Sequence, residues 1–341
     1  MEKKIVTFGE IMLRLSPEGH YRFVQADRFL AEYGGGEANV AVSLAGYGHA
    51  VQFVTKLPKN DLGQAAFNSL RRYGVDTSQI QRGGNRLGVY FLEKGASQRP
   101  SRVIYDRADS AIAGVCPDEF DFSSIFKDAH WFHFTGITPA LGENAAVVCL
   151  RACEEAKRRG ITVSCDLNYR KNLWSTAQAE ETMGKLMPYV DVCIANEEDA
   201  EKVFGIRAAN TDVNAGTLDG DGYVQVARLL TERFGFRYVA ITLRKSFSAD
   251  DNEWGAMLYA DGESIFSRKY SIHLVDRVGG GDSFAAGLVH GLSSGMKKSD
   301  ALEFATAASC LKQTIVGDFN HVSVEEVEAL KCGDGSGRVR R

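Results

Sequence analysis

The chain has 341 residues, room for one large α/β domain or two ordinary ones with a substantial core. Its 44% hydrophobic and 25% charged residues are those of a globular protein, and no apolar run approaches the roughly 20 residues of a membrane-spanning helix. A formal net charge of −4 leaves no electrostatic footprint for nucleic acid or an anionic membrane.

The opening "MEKKIVTFGE" runs into a strand-like pattern instead of a signal peptide, so a cytoplasmic protein is expected. "IMLRLSPEGHYRFVQADRFLAEY" alternates like strands joined by turns, and "GGGEANVAVSLAGYG" follows as a glycine triplet opening a helix. "VQFVTKL" reads as a strand and "DLGQAAFNSLRRYG" as a helix ending in arginines and a glycine. In "RLGVYFLEKGASQRPSRVIYDRA" two strands occur with no helix between them. From there "HWFHFTG", "TVSCDLN", "DVCIAN" and "YVAITLR" read as core strands alternating with helices such as "ENAAVVCLRACEEAKRRG" and "YVQVARLLTERFG". "RAANTDVNAGTLDGDG" is expected to be a surface insertion and "GDGSGRVRR" a frayed tail.

This alternation predicts a doubly wound α/β fold: a mostly parallel central sheet between helical layers, with a small antiparallel sheet as a lid over the strand ends. One domain over residues 1–330 is expected, with lid segments 10–34 and 86–108, and a disordered tail over 331–341. The seven cysteines are odd in number and form no CxxC pair, as for reduced thiols. His130 and His133 of "HWFHF" point to opposite faces of one strand, so no shared metal is expected.

"DRVGGGDSFAAGL" carries the strongest chemical signal. Gly279, Gly280 and Gly281 allow a turn whose N–H groups converge, and the following helix adds its positive end, which suits a phosphate. Asp282 in the first turn is either a helix cap or an ionised base that accepts a hydroxyl proton. There is no GxxxxGK[ST] loop, and no GxGxxG follows the first strand.

Together "DRVGGGDSFAAGL" and "GGGEANVAVSLAGYG" resemble the two signatures of the PfkB, or ribokinase-like, carbohydrate kinases, in the family's order along residues 1 to 330. The resemblance implies a three-layer α/β/α domain with a β-sheet lid, ATP and Mg²⁺ as co-substrates, and a sugar-like phosphoryl acceptor. It makes Asp282 the base and Gly279, Gly280 and Gly281 the anion hole. Gly34, Gly35, Gly36 and Asn39 would lie along the acceptor, with Glu37 a mere helix-entry charge. "ANEEDAEKVFG" resembles the family's N-x-x-E element through Asn196 and Asp199. The shorter Asp199 suits water-mediated contact with Mg²⁺, although a capped helix start is equally compatible. "CDLNYRKNLW" is similar to the D-x-N-x-R element, directing Asp166, Asn168 and Arg170 at phosphate and acceptor. Thr242, Arg244, Ala308 and Lys312 fall in the regions the family uses around the nucleotide, and a monovalent cation near Asp276 is a further expectation.

The acceptor is addressed by "GASQRPSRVIYDRADSA". On a lid strand Tyr105 and Arg107 share a face, so the guanidinium could grip a carboxylate in a bidentate manner while the phenol orients a keto or hydroxyl group. A charged edge strand guarding against aggregation is the bland alternative. With Tyr90 on the partner strand and Ile137 in "FTGITPAL", the pattern resembles the subgroup acting on 2-keto-3-deoxygluconate. It implies phosphorylation of the terminal hydroxyl of that sugar acid. A kinase of fructose, ribose or adenosine and a catalytically silent sugar-acid sensor are the alternatives. The exposed lid would also be a natural homo-oligomer surface.

Overall fold

The computed structural model describes residues 4–196, 198–207, 220–333 and 335. Across the main sheet the strands lie in the order Glu263–Phe266, Asp251–Ala260, Tyr238–Ser246, Val192–Ala195, Thr162–Asp166, Ala129–Thr135, Lys4–Phe8 and Val51–Val54. Those from Val51–Val54 through Tyr238–Ser246 are mutually parallel. The edge beyond them is antiparallel, with Tyr270–His273 also pairing Asp251–Ala260. Sequence alternation did not single out these edge strands. Their direction follows from chain length, since residues 247–250 are too few for the crossover a parallel pair requires.

Period-two alternation along each core strand divides the core between the faces of the sheet. Phe132 and Phe134, Val163 and Cys165, and Cys193 and Ala195 join one cluster with helices Glu143–Arg158, Thr176–Leu186 and Gly220–Phe234. Trp131, Val192, Ile194 and Ala240 join the other, under helices Gly36–Gly46, Gly280–Ser293 and Lys298–Lys312. Strands buried on both faces need helices on both, which is the three-layer arrangement.

The second sheet runs Leu30–Gly34, Met12–Ser16, Val89–Glu93, Arg102–Asp106. Its two outer pairings are antiparallel, the chain returning through residues 17–29 and 94–101, while the central pairing of Met12–Ser16 with Val89–Glu93 is parallel. The two segments reach the lid by separate excursions from the body, so their relative direction is not set by a hairpin.

Of the seven thiols, Cys149, Cys153, Cys165, Cys193 and Cys310 are buried; Cys116 and Cys332 are exposed. Residues 208–219 of the expected insertion lie outside the described residues, and Gly220–Gly222 begin a helix. Lys331, assigned to the tail, ends helix Val324–Lys331; beyond Gly333 only Gly335 is described. Among the described residues no helix is long and apolar enough to cross a membrane.

Candidate active site

A cleft of about 510 Å³ opens where the parallel strands end at their carboxyl edge, beneath the lid. Glu10, Ile137, Asp166, Asn168, Asn196 and Thr242 reach it from successive strand exits. From the other side come Gly279, Gly280, Gly281 and Asp282, and from the lid Tyr90, Tyr105 and Arg107. Segments dispersed over the sequence meet because each leaves the same edge of one sheet.

The glycine turn has a steric reason. Gly279 caps helix Gly280–Ser293 with φ +80°, and a Cβ there would collide with the Asp318 carbonyl. The helix that follows leaves its first N–H groups without intrahelical acceptors; Gly280 N–H donates to Arg277 O at 3.3 Å, and Gly279, Gly280 and Gly281 all line the cleft.

Asp282 stands in that first turn with part of its surface open to the cleft. Its Oδ2 accepts a 2.6 Å hydrogen bond from Asn39 Nδ2, and Asn39 is oriented by accepting from Gly35 N–H at 3.2 Å. Burial pushes the Asp282 carboxyl up to about 6; the Asn39 bond opposes the shift, while the charges of Asp318 and Glu37 add to it. At neutral pH the group is therefore mostly ionised and basic enough to take a proton, which a surface cap is not.

Glu37 departs from the role of a helix-entry charge. It is fully buried, and its Oε1 accepts from Thr135 N–H (3.0 Å), Thr135 Oγ1 (2.7 Å) and Thr138 Oγ1 (2.6 Å). It ties helix Gly36–Gly46 to the end of strand Ala129–Thr135, fixing the loop that carries Ile137.

On the lid, Tyr90 and Tyr105 are register partners with ring centroids 5.9 Å apart, and the Arg107 guanidinium lies 5.2 Å from the Tyr105 centroid. Val103, Tyr105 and Arg107 line the cleft together, as strand alternation requires. Arg107 Nη2 donates to Glu10, so the guanidinium already faces one carboxylate of the chain, while its Nε is buried without a partner among the described residues. Glu10 is held in turn by Ser110 Oγ at 3.1 Å; burial raises its pKa, against the opposing pull of Arg107. The Tyr90 hydroxyl is likewise committed, donating to Asp318 Oδ2 at 2.5 Å.

Behind the lid lies a buried charge cluster. The fully buried Arg14 donates to Asp276 Oδ2 at 2.5 Å and Asp318 Oδ1 at 2.8 Å. Asp276 Oδ2 also accepts from Gly317 N–H, and Oδ1 from Val278 N–H.

Toward the antiparallel edge the cleft turns cationic, with Arg170, Arg244 and Arg277 among its lining. Burial lowers the Arg277 pKa and the charge of Arg244 lowers it further. Such an arrangement suits a polyanion. Asp199 accepts from Tyr169 N–H and Asn196 N–H, both at 3.1 Å, and Asn196 Oδ1 accepts from Glu198 and Asp199 N–H. A carboxylate in this position suits contact with a cation.

Three sequence candidates do not reach the cleft. Ala308 is packed inside the helical layer. Lys312 is fully buried, its Nζ donating to backbone carbonyls. Gly34 does not line it either; its lack of a Cβ leaves room for the Asp318 carboxylate. Sequence reasoning missed Glu10, Asn252, Trp254, Arg277, Gln313 and Asp318, all of which line the cleft. Arg277 was legible in principle, two residues before the glycine turn.

Comparison with known proteins agrees with this geometry. The crystal structure of 2-dehydro-3-deoxygluconokinase from Thermotoga maritima superposes with a TM-score of 0.94 at 52% identity, covering 97% of this chain and 100% of that one. A 2-dehydro-3-deoxygalactonokinase of Haloferax volcanii is 34% identical over 337 residues, 99% of each chain. The 2-dehydro-3-deoxygluconokinase of Thermoproteus tenax is 29% identical over 320 residues, 92% of this chain and 89% of its own. Residues 2–320 match the model of the pfkB family carbohydrate kinases, and the chain belongs to that family.

Proposed function

We propose that the protein transfers the γ-phosphoryl group of ATP to the terminal primary hydroxyl of 2-keto-3-deoxygluconate, giving the 6-phospho sugar acid. The observation that carries this reading is the pairing of Asp282, at the mouth of the glycine turn, with a lid face that presents Tyr105 and Arg107 across the same cleft.

In this reading the sugar acid lies along Gly35, Gly36 and Asn39, under Tyr90, Tyr105 and Ile137. The positive charge of Arg107 attracts the acceptor carboxylate, and Glu10 fixes the guanidinium in place. Asp282 accepts the hydroxyl proton as the alkoxide oxygen bonds to the γ-phosphorus and the bond to the bridging oxygen of ADP breaks. The N–H groups at Gly279 and Gly281 and the Arg170 guanidinium meet the charge on the transferring group, while Gly280 N–H, donated to Arg277 O, holds the turn. Asn168, Asn196, Thr242, Arg244 and Arg277 receive the nucleotide. Mg²⁺ enters with ATP, its water shell within reach of Asp199 and Glu198. The apolar, exposed Tyr21, Val24, Phe29 and Leu30 make the lid a surface for homodimer formation, and the buried thiols suit the cytoplasm.

The test measures sugar-dependent ADP release over 2-keto-3-deoxygluconate, its galactonate epimer, fructose, ribose and adenosine. The sugar acids should give the highest kcat/KM. Faster turnover of ribose or fructose would sink the acceptor assignment, and no turnover with any acceptor would favour a silent sensor. Asp282→Asn should remain folded and bind both ligands while kcat falls by about 10³-fold or more.

A further inference from the structure

Lys312 was expected beside the nucleotide and lies instead behind the glycine turn. Its side chain is fully buried at the end of helix Lys298–Lys312. Nζ donates to the carbonyl oxygens of Gly317 at 2.6 Å, Asp276 at 3.3 Å and Ile315 at 3.4 Å. A lysine near a helix end that merely capped its own helix would reach only the last carbonyls of that helix. None of the three acceptors belongs to that helix: Ile315 and Gly317 follow it, Asp276 stands three residues before Gly279, and Gly317 precedes the residue whose carbonyl would meet a Cβ on Gly279.

Carbonyl oxygens converging on one buried positive charge are the surroundings in which proteins also hold potassium, the oxygens replacing its hydration shell. Here the charge is covalently tethered. It joins two chain segments that together shape the anion-binding turn. The 313–318 segment already touches the other at Val275 N–H and Asp276 N–H, which both donate to Gln313 O, and at Gly317 N–H, which donates to Asp276 Oδ2. The Lys312 Cε would lie 3.3 Å from a Cβ on Gly279, so the ammonium sits directly behind the turn. Burial lowers the Lys312 pKa and the charge of Arg14 adds to that, while the charges of Asp276, Asp318 and Asp282 oppose it and favour the ammonium.

We propose that the Lys312 ammonium is a built-in substitute for a bound monovalent cation, holding the 276–279 and 313–318 segments so that the turn is preformed for phosphate. Lys312 is thus a positioning residue that acts through Gly279, and the wild-type reaction needs no added monovalent cation. The proposal rests on phosphoryl transfer at Asp282 and not on which sugar is the acceptor.

The experiment uses the full chain with MgATP and 2-keto-3-deoxygluconate, or whichever sugar in the acceptor panel is turned over fastest. ADP is quantified by chromatography, so that no cation-dependent coupling enzyme intervenes. Rates are compared in tetramethylammonium, lithium, potassium and ammonium chlorides at equal ionic strength. Wild-type kcat should vary by no more than about twofold across the series, whereas Lys312→Ala should lose about 10- to 1000-fold in tetramethylammonium, the loss typical of a damaged oxyanion site. Potassium or ammonium should restore much of that loss in Lys312→Ala; lithium should not. Lys312→Met, whose side chain fills the same space without charge, should be slow in every salt. The same series read as melting temperature should show Lys312→Ala selectively stabilised by potassium or ammonium, whatever the acceptor. Severalfold activation of the wild type by potassium would overturn the proposal. So would wild-type kcat in Lys312→Ala or Lys312→Met, or a folded Lys312→Ala that responds to no cation in rate or melting temperature. If neither variant folds, the wild-type comparison decides. Failure of every acceptor would count against the kinase reading alone, leaving the melting series to judge Lys312.

Discussion

At the scale of single residues the cleft is governed by how much solvent each charge has lost. Asp282 has given up enough to carry its pKa to about 6, and Asn39 is the hydrogen bond that holds it from going higher. Because the reactive form is the ionised one, kcat/KM should fall as pH drops through about 6. Removing the amide in Asn39→Ala should move that acid limb upward by about half a unit to one unit. A pH profile with unchanged limbs in the variant would mean that another group sets them. Arg107 is a buried cation paired with a carboxylate, Glu10. Arg107→Ala should raise the sugar-acid KM about 10- to 100-fold while leaving the ATP KM within about twofold. Equal losses for both substrates would indicate a collapsed lid.

At the scale of elements, Glu37 fastens helix Gly36–Gly46 to the strand carrying Thr135 through three accepted hydrogen bonds on one oxygen. Truncation strands three donors in the interior, so Glu37→Ala should cost about 2–4 kcal/mol in urea unfolding. Glu37→Gln, which keeps an acceptor, should cost less; equal costs would show that the hydrogen bonds are not what matters. Glu37 also shows where sequence reading stops. The core strands were legible because alternation is local, and the glycine turn with Asp282 because its parts are contiguous. A helix-entry glutamate carries no mark of whether its entrance faces water or a strand end. Lys312 and Ala308 were misplaced because helical period identifies faces without saying which one meets the cleft. Arg14 with Asp318, and Arg107 with Glu10, join positions 304 and 97 residues apart, beyond the reach of any local pattern. The residue that offered a clue was Arg14 itself, a charge set between leucines in "MLRLS".

At the scale of the whole molecule, the lid projects from the body with Val24 91% and Tyr21 58% exposed, and Leu30 and Ile104 about half exposed. If two lids pair, light scattering of the purified chain should give twice the 37.3 kDa chain mass, and Val24→Asp with Leu30→Asp should halve it. A monomer at micromolar concentration would remove the lid from consideration as an interface. The buried cluster beneath the lid bears on a different matter, the exchange of parts between relatives. Residues 10–34 and 86–108 invite treatment as a detachable cassette, to be swapped for a change of acceptor. Arg14 and Tyr90 within it, however, terminate on Asp276 and Asp318, which belong to the catalytic body. A grafted lid would arrive with its counter-charges missing or mismatched, so a chimera must carry positions 276 and 318 along with the two segments. Inheritance of acceptor preference in this chain is tied, through one arginine and one phenol, to the inheritance of the turn that holds the phosphate.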